Sequence, residues 1–246
     1  SATLRDGTGN DDQDWQAADL RTGFRHFPGG GKRSLLMSPF DYAEQTRILV
    51  VSDINKNDIG QLASAYRELM LAAGGGALGL FTSVARLKGV YERLANDVRF
   101  DHIQLLAQHI DPLDTGTLVD IFRAETGSCL LGTDAVRDGV DVPGRSLRLI
   151  VYDRVPWPRP TILHKARRTL YSEEMEGGNF DDLVTRLRLK QAYGRLIRRD
   201  GDKGVFITLD KAMPSRLKGA FPENIDVNRV GLAEAVRITR EFICQV

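Results

Sequence analysis

A doubly wound α/β fold with a mainly parallel sheet is what this sequence predicts, on three observations. From Thr46 onward, short β-branched runs alternate with amphipathic stretches, the rhythm that successive parallel βαβ units require. Within the amphipathic stretches apolar residues recur every three or four positions, the helical period. The 246 residues, 42% of them hydrophobic, suffice to bury one large core.

Residues 1–40 are polar and Gly-rich and read as a loop-rich leading segment. It has one helical stretch around Asp12 to Thr22 and a loose turn at Pro28-Gly29-Gly30-Gly31, before Ser38-Pro39-Phe40. Residues 41–246 carry the regular pattern. Strands are expected at Arg47 to Ser52, Ala77 to Thr82, His102 to Gln108, Ser128 to Thr133, Leu147 to Asp153 and Gly204 to Leu209. Helices are expected at Asp58 to Ala73, Ser83 to Asn96, Thr115 to Thr126, Asp181 to Arg199 and Asn228 to Ile243. Helices covering both faces of one sheet are the economical arrangement. Around residues 159–180 the rhythm breaks at Arg167-Arg168, Glu173-Glu174 and Gly177-Gly178, which reads as an insertion over one sheet edge.

Composition excludes several classes. The 34 Lys and Arg nearly cancel the 33 Asp and Glu, so any basic surface must be local. The two cysteines, Cys129 and Cys244, stand in no CxxC or Cys/His cluster, which argues against a zinc or iron-sulfur site and for two reduced, buried thiols. No apolar run approaches the ~20 residues of a bilayer span and no leader opens the chain, so no membrane partner and a cytoplasmic location are expected. The first residue is Ser1 rather than Met, which leads to the expectation of a fragment.

Gly29-Gly30-Gly31-Lys32-Arg33-Ser34 imitates a phosphate loop, but GxxxxGK[ST] needs Gly where His26 stands and Ser or Thr where Arg33 stands. It reads as a surface turn. Without another Gly-Lys-Ser/Thr, the chain is not expected to hold a triphosphate and Mg²⁺ by itself. The most informative run is Gln191-Ala192-Tyr193-Gly194-Arg195-Leu196-Ile197-Arg198-Arg199. On a helix at 100° per residue, Gln191, Arg195 and Arg198 fall within about 60° of one another, opposite Leu189, Tyr193, Leu196 and Ile197. Two guanidiniums and an amide on one face suit phosphate oxygens, although from the residues alone a solvated basic face is the better reading.

Three further segments stand where parallel sheets bind ligands, beyond the carboxyl ends of strands. Thr133 to Gly144 is rich in Gly and Asp, which fits either a ligand-facing turn or a tight polar loop. Leu78-Gly79-Leu80-Phe81-Thr82-Ser83 leads into a helix, with Ser83 placed to cap it or to accompany a phosphate there. Val155-Pro156-Trp157-Pro158-Arg159-Pro160 holds an aromatic between prolines, suited to base stacking or to packing against another lobe. Nearby Lys165, Arg167 and Arg168 add backbone attraction or simply solvate the insertion.

Taken together these runs resemble the DinG/XPD branch of superfamily 2 helicases. Gln191 to Arg198 resembles the QxxGRxxR motif VI, and Thr133 to Gly144 resembles motif V, with Arg137 and Asp138 where the family usually has an aromatic and a glutamate. Thr82-Ser83 resembles motif IV, Ser1-Ala2-Thr3-Leu4 motif III, and Trp157 stands at the Phe of the family's Leu-Pro-Phe-x-x-Pro. The resemblance implies a RecA-like second motor lobe of an ATP-dependent helicase. A first RecA-like lobe of the same polypeptide would bind most of ATP and Mg²⁺ and often carries an iron-sulfur cluster. On this resemblance Arg195 and Arg198 are catalytic, with Gln191, Gly139 and Asp141 near the nucleotide. Thr82, Ser83, Thr133 and Trp157 meet single-stranded DNA, along which translocation runs 5′ to 3′. An ATP-gated nuclease lobe and a non-hydrolysing nucleic-acid-binding module are the alternatives.

Overall fold

The computed structural model describes residues 4–29, 31–100, 102–139 and 141–244. The strands are β1 (Thr46–Val51), β2 (Ala77–Leu80), β3 (Leu105–Ala107), β4 (Cys129–Gly132), β5 (Leu149–Tyr152), β6 (Gly204–Thr208) and β7 (Val227–Val230). They form one sheet in the order β3-β4-β2-β5-β6-β1-β7, parallel at every pairing. The helices are α1 (Asp11–Thr22), α2 (Tyr42–Gln45), α3 (Ile59–Ala73), α4 (Val84–Ala95), α5 (Thr115–Ala124), α6 (Asp134–Gly139), α7 (Ile162–Glu174), α8 (Phe180–Tyr193) and α9 (Leu232–Cys244).

The strands are apolar on both sides because both sides are covered. Ile48, Val50, Leu78, Leu80, Ile150 and Phe206 pack with Leu118 and Phe122 of α5, Val136 of α6 and Leu189 and Tyr193 of α8. Their neighbours Leu49, Val51, Ala77, Leu149, Val151 and Ile207 pack with Leu62, Tyr66 and Leu69 of α3, Leu87 and Val90 of α4 and Ala235 and Ile243 of α9. The chain travels from β1 through β2 to the edge at β3 with α3 and α4 on one face. It returns through β4, β5 and β6 with α5, α6 and α8 on the other, which is the double winding expected.

Several expectations need correction. β7 was read as the head of the last helix, yet Asn228 and Arg229 lie in a strand and α9 begins only at Leu232. An edge strand with two exposed polar residues between partly buried valines lacks the apolar alternation that marks a strand. β3 keeps only Leu105–Ala107, the later part of the expected His102 to Gln108. Of the two thiols, Cys129 is buried and Cys244 is exposed, because Cys244 ends α9 just past its buried stripe. The stretch read as an insertion carries α7, which is no contradiction of that reading; its Tyr171, with Met175, packs with Ala17 of α1 and with Phe180, Leu183 and Leu187 of α8, forming a small second core.

The leading segment is fastened to the sheet's helical cover. Arg186 of α8 grips Asp6 through two bonds of 2.6 and 2.5 Å, both residues buried. At Gly7 a Cβ would fall 1.9 Å from the Gly219 carbonyl oxygen, so two backbones cross where no side chain fits. Residues Ser1 to Thr3 of the Ser1-Leu4 run lie outside the described residues, as do Gly30 of the glycine turn and Val140 of the Thr133 to Gly144 segment.

Candidate nucleic-acid groove and arginine loop

Thr82, Thr133 and Trp157 come together above the carboxyl ends of β2, β4 and β5. They line one groove of about 560 Å³, to which Arg159, Arg167 and Arg188 also contribute. Three guanidiniums against Asp134 make it the locally basic surface that the net charge conceals. Trp157 is 39% exposed between its prolines. A larger cavity, about 910 Å³, lies between the leading segment and α8 and is lined by none of the expected site residues.

Each threonine is held from below. The Thr82 amide and hydroxyl donate to the two carboxylate oxygens of Asp153, at 3.0 and 3.2 Å. Asp153 directly follows β5, is fully buried and pairs with Arg86 of α4. Burial pushes its carboxyl above the ordinary range, opposed by Arg86 and by the Thr82 amide. The Thr133 amide and hydroxyl donate to Gln108 Oε1 at 3.0 and 2.9 Å, and Gln108 in turn donates to Thr115 at 3.1 Å. Ser83 caps α4, its hydroxyl accepting from the Arg86 amide at 3.4 Å.

The second group lies on the α5/α6/α8 face, and here the expected geometry fails. Gln191, Arg195 and Arg198 do not share a helical face, because α8 ends at Tyr193 and Gly194 is its C-cap. The Asp202 carboxylate accepts the amides of Arg198 and Arg199 at 2.9 and 2.8 Å, turning the chain back toward β6. The residues still converge, through a loop. Arg195 Nη2 donates to the Asp138 carbonyl at 2.9 Å, and Arg198 Nη2 stands 3.5 Å from the Asp141 carboxylate. Gln191 occupies the last turn of α8 and Gly139 the end of α6. The segment after Thr133, expected as a turn or polar loop, is this six-residue α6, closed on itself by buried Arg137, which binds the carboxylates of Asp134 and Asp138. Burial, followed by the nearby Arg198, holds the Arg195 guanidinium below its ordinary pKa.

Sequence reasoning missed Arg188, Asp153, Asp210 and Gln108. Asp153 and Asp210 carried a visible signal: an acidic residue within two positions of the end of an apolar strand, where a parallel sheet binds or braces its loops. Arg188 carried none, since basic residues on a helix are usually solvated.

Residues 66–228 match the family described as helicase C-terminal domain. The chain belongs to that family. As a helicase C-terminal domain of the DinG/XPD-like kind, it is 35% identical over 199 residues to the ATP-dependent helicase DinG of Mycobacterium tuberculosis, covering 75% of this chain and 28% of that protein. It is 34% identical over 186 residues to the 3′-5′ exonuclease DinG of Bacillus subtilis, covering 71% of this chain and 20% of that protein. It thus spans well under half the length of these relatives. The fold of the helicase C-terminal domain also matches S. cerevisiae Dbp5 bound to RNA and ADP BeF3, with a TM-score of 0.59 at 16% identity, over 92% of this chain and 52% of that one. The RecA-like lobe is therefore shown by sequence and by fold.

Proposed function

We propose that this helicase C-terminal domain is the second lobe of an ATP-driven motor that moves 5′ to 3′ along single-stranded DNA in the cytoplasm. Residues 41–246 form the lobe and 1–40 lead into it from a first lobe. One observation carries the reading: α6 and α8 each run from the basic groove to the arginine loop. α6 begins at Asp134 in the groove and ends at Asp138-Gly139, where Arg195 docks. α8 lines the groove with Val184 and Arg188 and ends beside Gln191.

In this reading Thr82, Ser83 and Thr133 hold the strand's phosphates, and Trp157 stacks on a base, a contact typically of ~1–3 kcal/mol. Arg195 and Arg198, with Gln191, Gly139 and Asp141, face the neighbouring lobe. The side chains fit a role at the edge of a triphosphate: Arg198 is exposed and, among the described residues, its guanidinium is paired with the exposed carboxylate of Asp141, a partner it can exchange. They do not make a phosphate cradle, which falls with Mg²⁺ to the first lobe. ATP, when bound there, supplies the free energy of hydrolysis. Arg195 and Arg198 supply positive charge where negative charge grows.

The test uses this chain and a labelled oligothymidylate. Binding is expected, weakening as salt rises because phosphate contacts release counterions. Trp157→Ala should lower affinity by about 1–2 kcal/mol. ATP hydrolysis by the chain alone should stay at background. Salt-insensitive binding, or none, would overturn the reading. A second reading, in which ATP gates a nuclease, is favoured by the name of the Bacillus subtilis relative, a 3′-5′ exonuclease. Strand digestion equally supported by ATP and by a non-hydrolysable analogue, in a longer polypeptide carrying this chain, would select it.

A further inference from the structure

The arginine loop hangs between α8 and β6, and both of these flanking elements also reach the segment that carries Trp157. From α8, Arg188 Nη1 donates to the Pro156 carbonyl at 3.0 Å and to the Trp157 carbonyl at 3.2 Å. Its Nη2 stands 4.0 Å from the carboxylate of Asp134, at the head of α6. From beyond β6, buried Asp210 accepts the Val155 amide at 3.2 Å and is paired with Lys56 at 2.6 Å.

The segment is stiff and so is its tether. Pro156 and Pro158 fix their own φ near −65°, so a shift of either anchor carries the indole with it. Arg188 is followed on α8 by Leu189, Ala192 and Tyr193, all buried in the core, which leaves this end of the helix little freedom to bend. Gln191 comes one turn later on nearly the same side, and the arginine loop follows at once. A planar guanidinium spanning two carbonyls and a carboxylate holds three groups that no other described side chain is seen to join.

The geometry points to Arg188 as a positioning residue that couples the two sites, tying the grip on the strand at Trp157 to the helix whose end carries Arg195 and Arg198. The inference rests on the motor-lobe reading. It differs from a simple brace in a measurable way. A brace for Trp157 lowers strand affinity by the same factor whether or not nucleotide is present. A coupling residue changes the ratio of the two affinities, and by linkage the strand's effect on nucleotide affinity must change by the same ratio.

The experiment uses a polypeptide carrying this chain together with a first motor lobe. The dissociation constant for labelled oligothymidylate is measured with and without a non-hydrolysable ATP analogue. Couplings of roughly 5- to 150-fold are usual between linked sites. Arg188→Ala is expected to bring the ratio to within about two-fold of one. Arg188→Lys, whose point charge reaches one carbonyl rather than bridging two, should recover only part of it. A variant that keeps the unmutated ratio, both affinities falling alike, would show a brace and overturn the coupling. If the unmutated protein binds the strand with a ratio of one, the coupling falls and the strand-binding role stands. If it binds no strand at all, the motor-lobe reading falls and takes the coupling with it. Should Arg188→Ala melt early, Arg188→Gln gives the same ratio from a folded protein.

Discussion

Arg198 and Asp153 show how differently two charged residues of one lobe are used. Arg198 is exposed, and its guanidinium stands 3.5 Å from the exposed carboxylate of Asp141. On the proposed reading, Arg198→Ala in a two-lobed polypeptide should lower strand-stimulated kcat by on the order of 10³, with a smaller change in ATP affinity. Arg198→Lys should not restore it fully. Arg199, exposed and with its amide also on Asp202, is the neighbouring control; equal damage from Arg199→Ala would remove the catalytic assignment. Asp153 by contrast is locked beneath Thr82, and burial raises its pKa in the folded state. A carboxyl with a raised folded pKa contributes stability that is present below its unfolded value near ~3.9 and lost as pH rises through the folded value. Relative to Asp153→Asn, the unmutated protein should therefore lose stability from about pH 4 upward until Asp153 is fully ionised, then run parallel. Denaturant titrations of both proteins across that range check the sign. The positions of Thr82, Thr133 and Trp157 were legible because each follows a readable strand. Two of their supports were not, since Gln108 reaches Thr133 from another segment and Arg188 reaches Trp157 from a helix whose basic residues read as solvated.

At the scale of elements, the arginine loop is where periodicity misled. The run from Asp181 to Arg199 keeps helical spacing beyond Tyr193, with Leu196 and Ile197 buried as a continued helix would bury them. Spacing cannot register that Asp202, on the far side of Arg199, offers its carboxylate to two amides and competes with the helix for them. Asp202→Ala should release both amides, at a cost of about 1 kcal/mol for each hydrogen bond. Strand-stimulated turnover should then fall more than the single-strand affinity of the chain, because Asp202 holds the loop and does not line the groove. A loss of affinity equal to the loss of turnover would show that the loop and groove are not separable. β7 was hidden for the opposite reason: its two central residues are polar and exposed, so nothing in its pattern announced a strand.

For the whole molecule, the order of the sheet has a consequence for synthesis. β2, β3, β4 and β5 pair only with one another, apart from the seam between β5 and β6. That half of the sheet can assemble once Tyr152 has left the ribosome. Of these seven strands β1 is made first and completed last, since its partners are β6 and β7 and Ile48 must wait for Val227. At roughly 5–20 residues per second, translation from β1 to β6 takes on the order of 10–30 s. Until β6 is made, Ile48, Leu49, Val50 and Val51 form an apolar run without a strand partner, the kind of segment that adds to foreign strand edges. Nascent chains stalled after Tyr152 should protect β2 and β4 from protease and leave β1 open to it, whereas chains stalled well beyond Val230 should protect all three. Within this sheet the earliest strand is thus the one most dependent on a holdase, and a slow codon between β1 and β6 would lengthen its exposure more than one placed later.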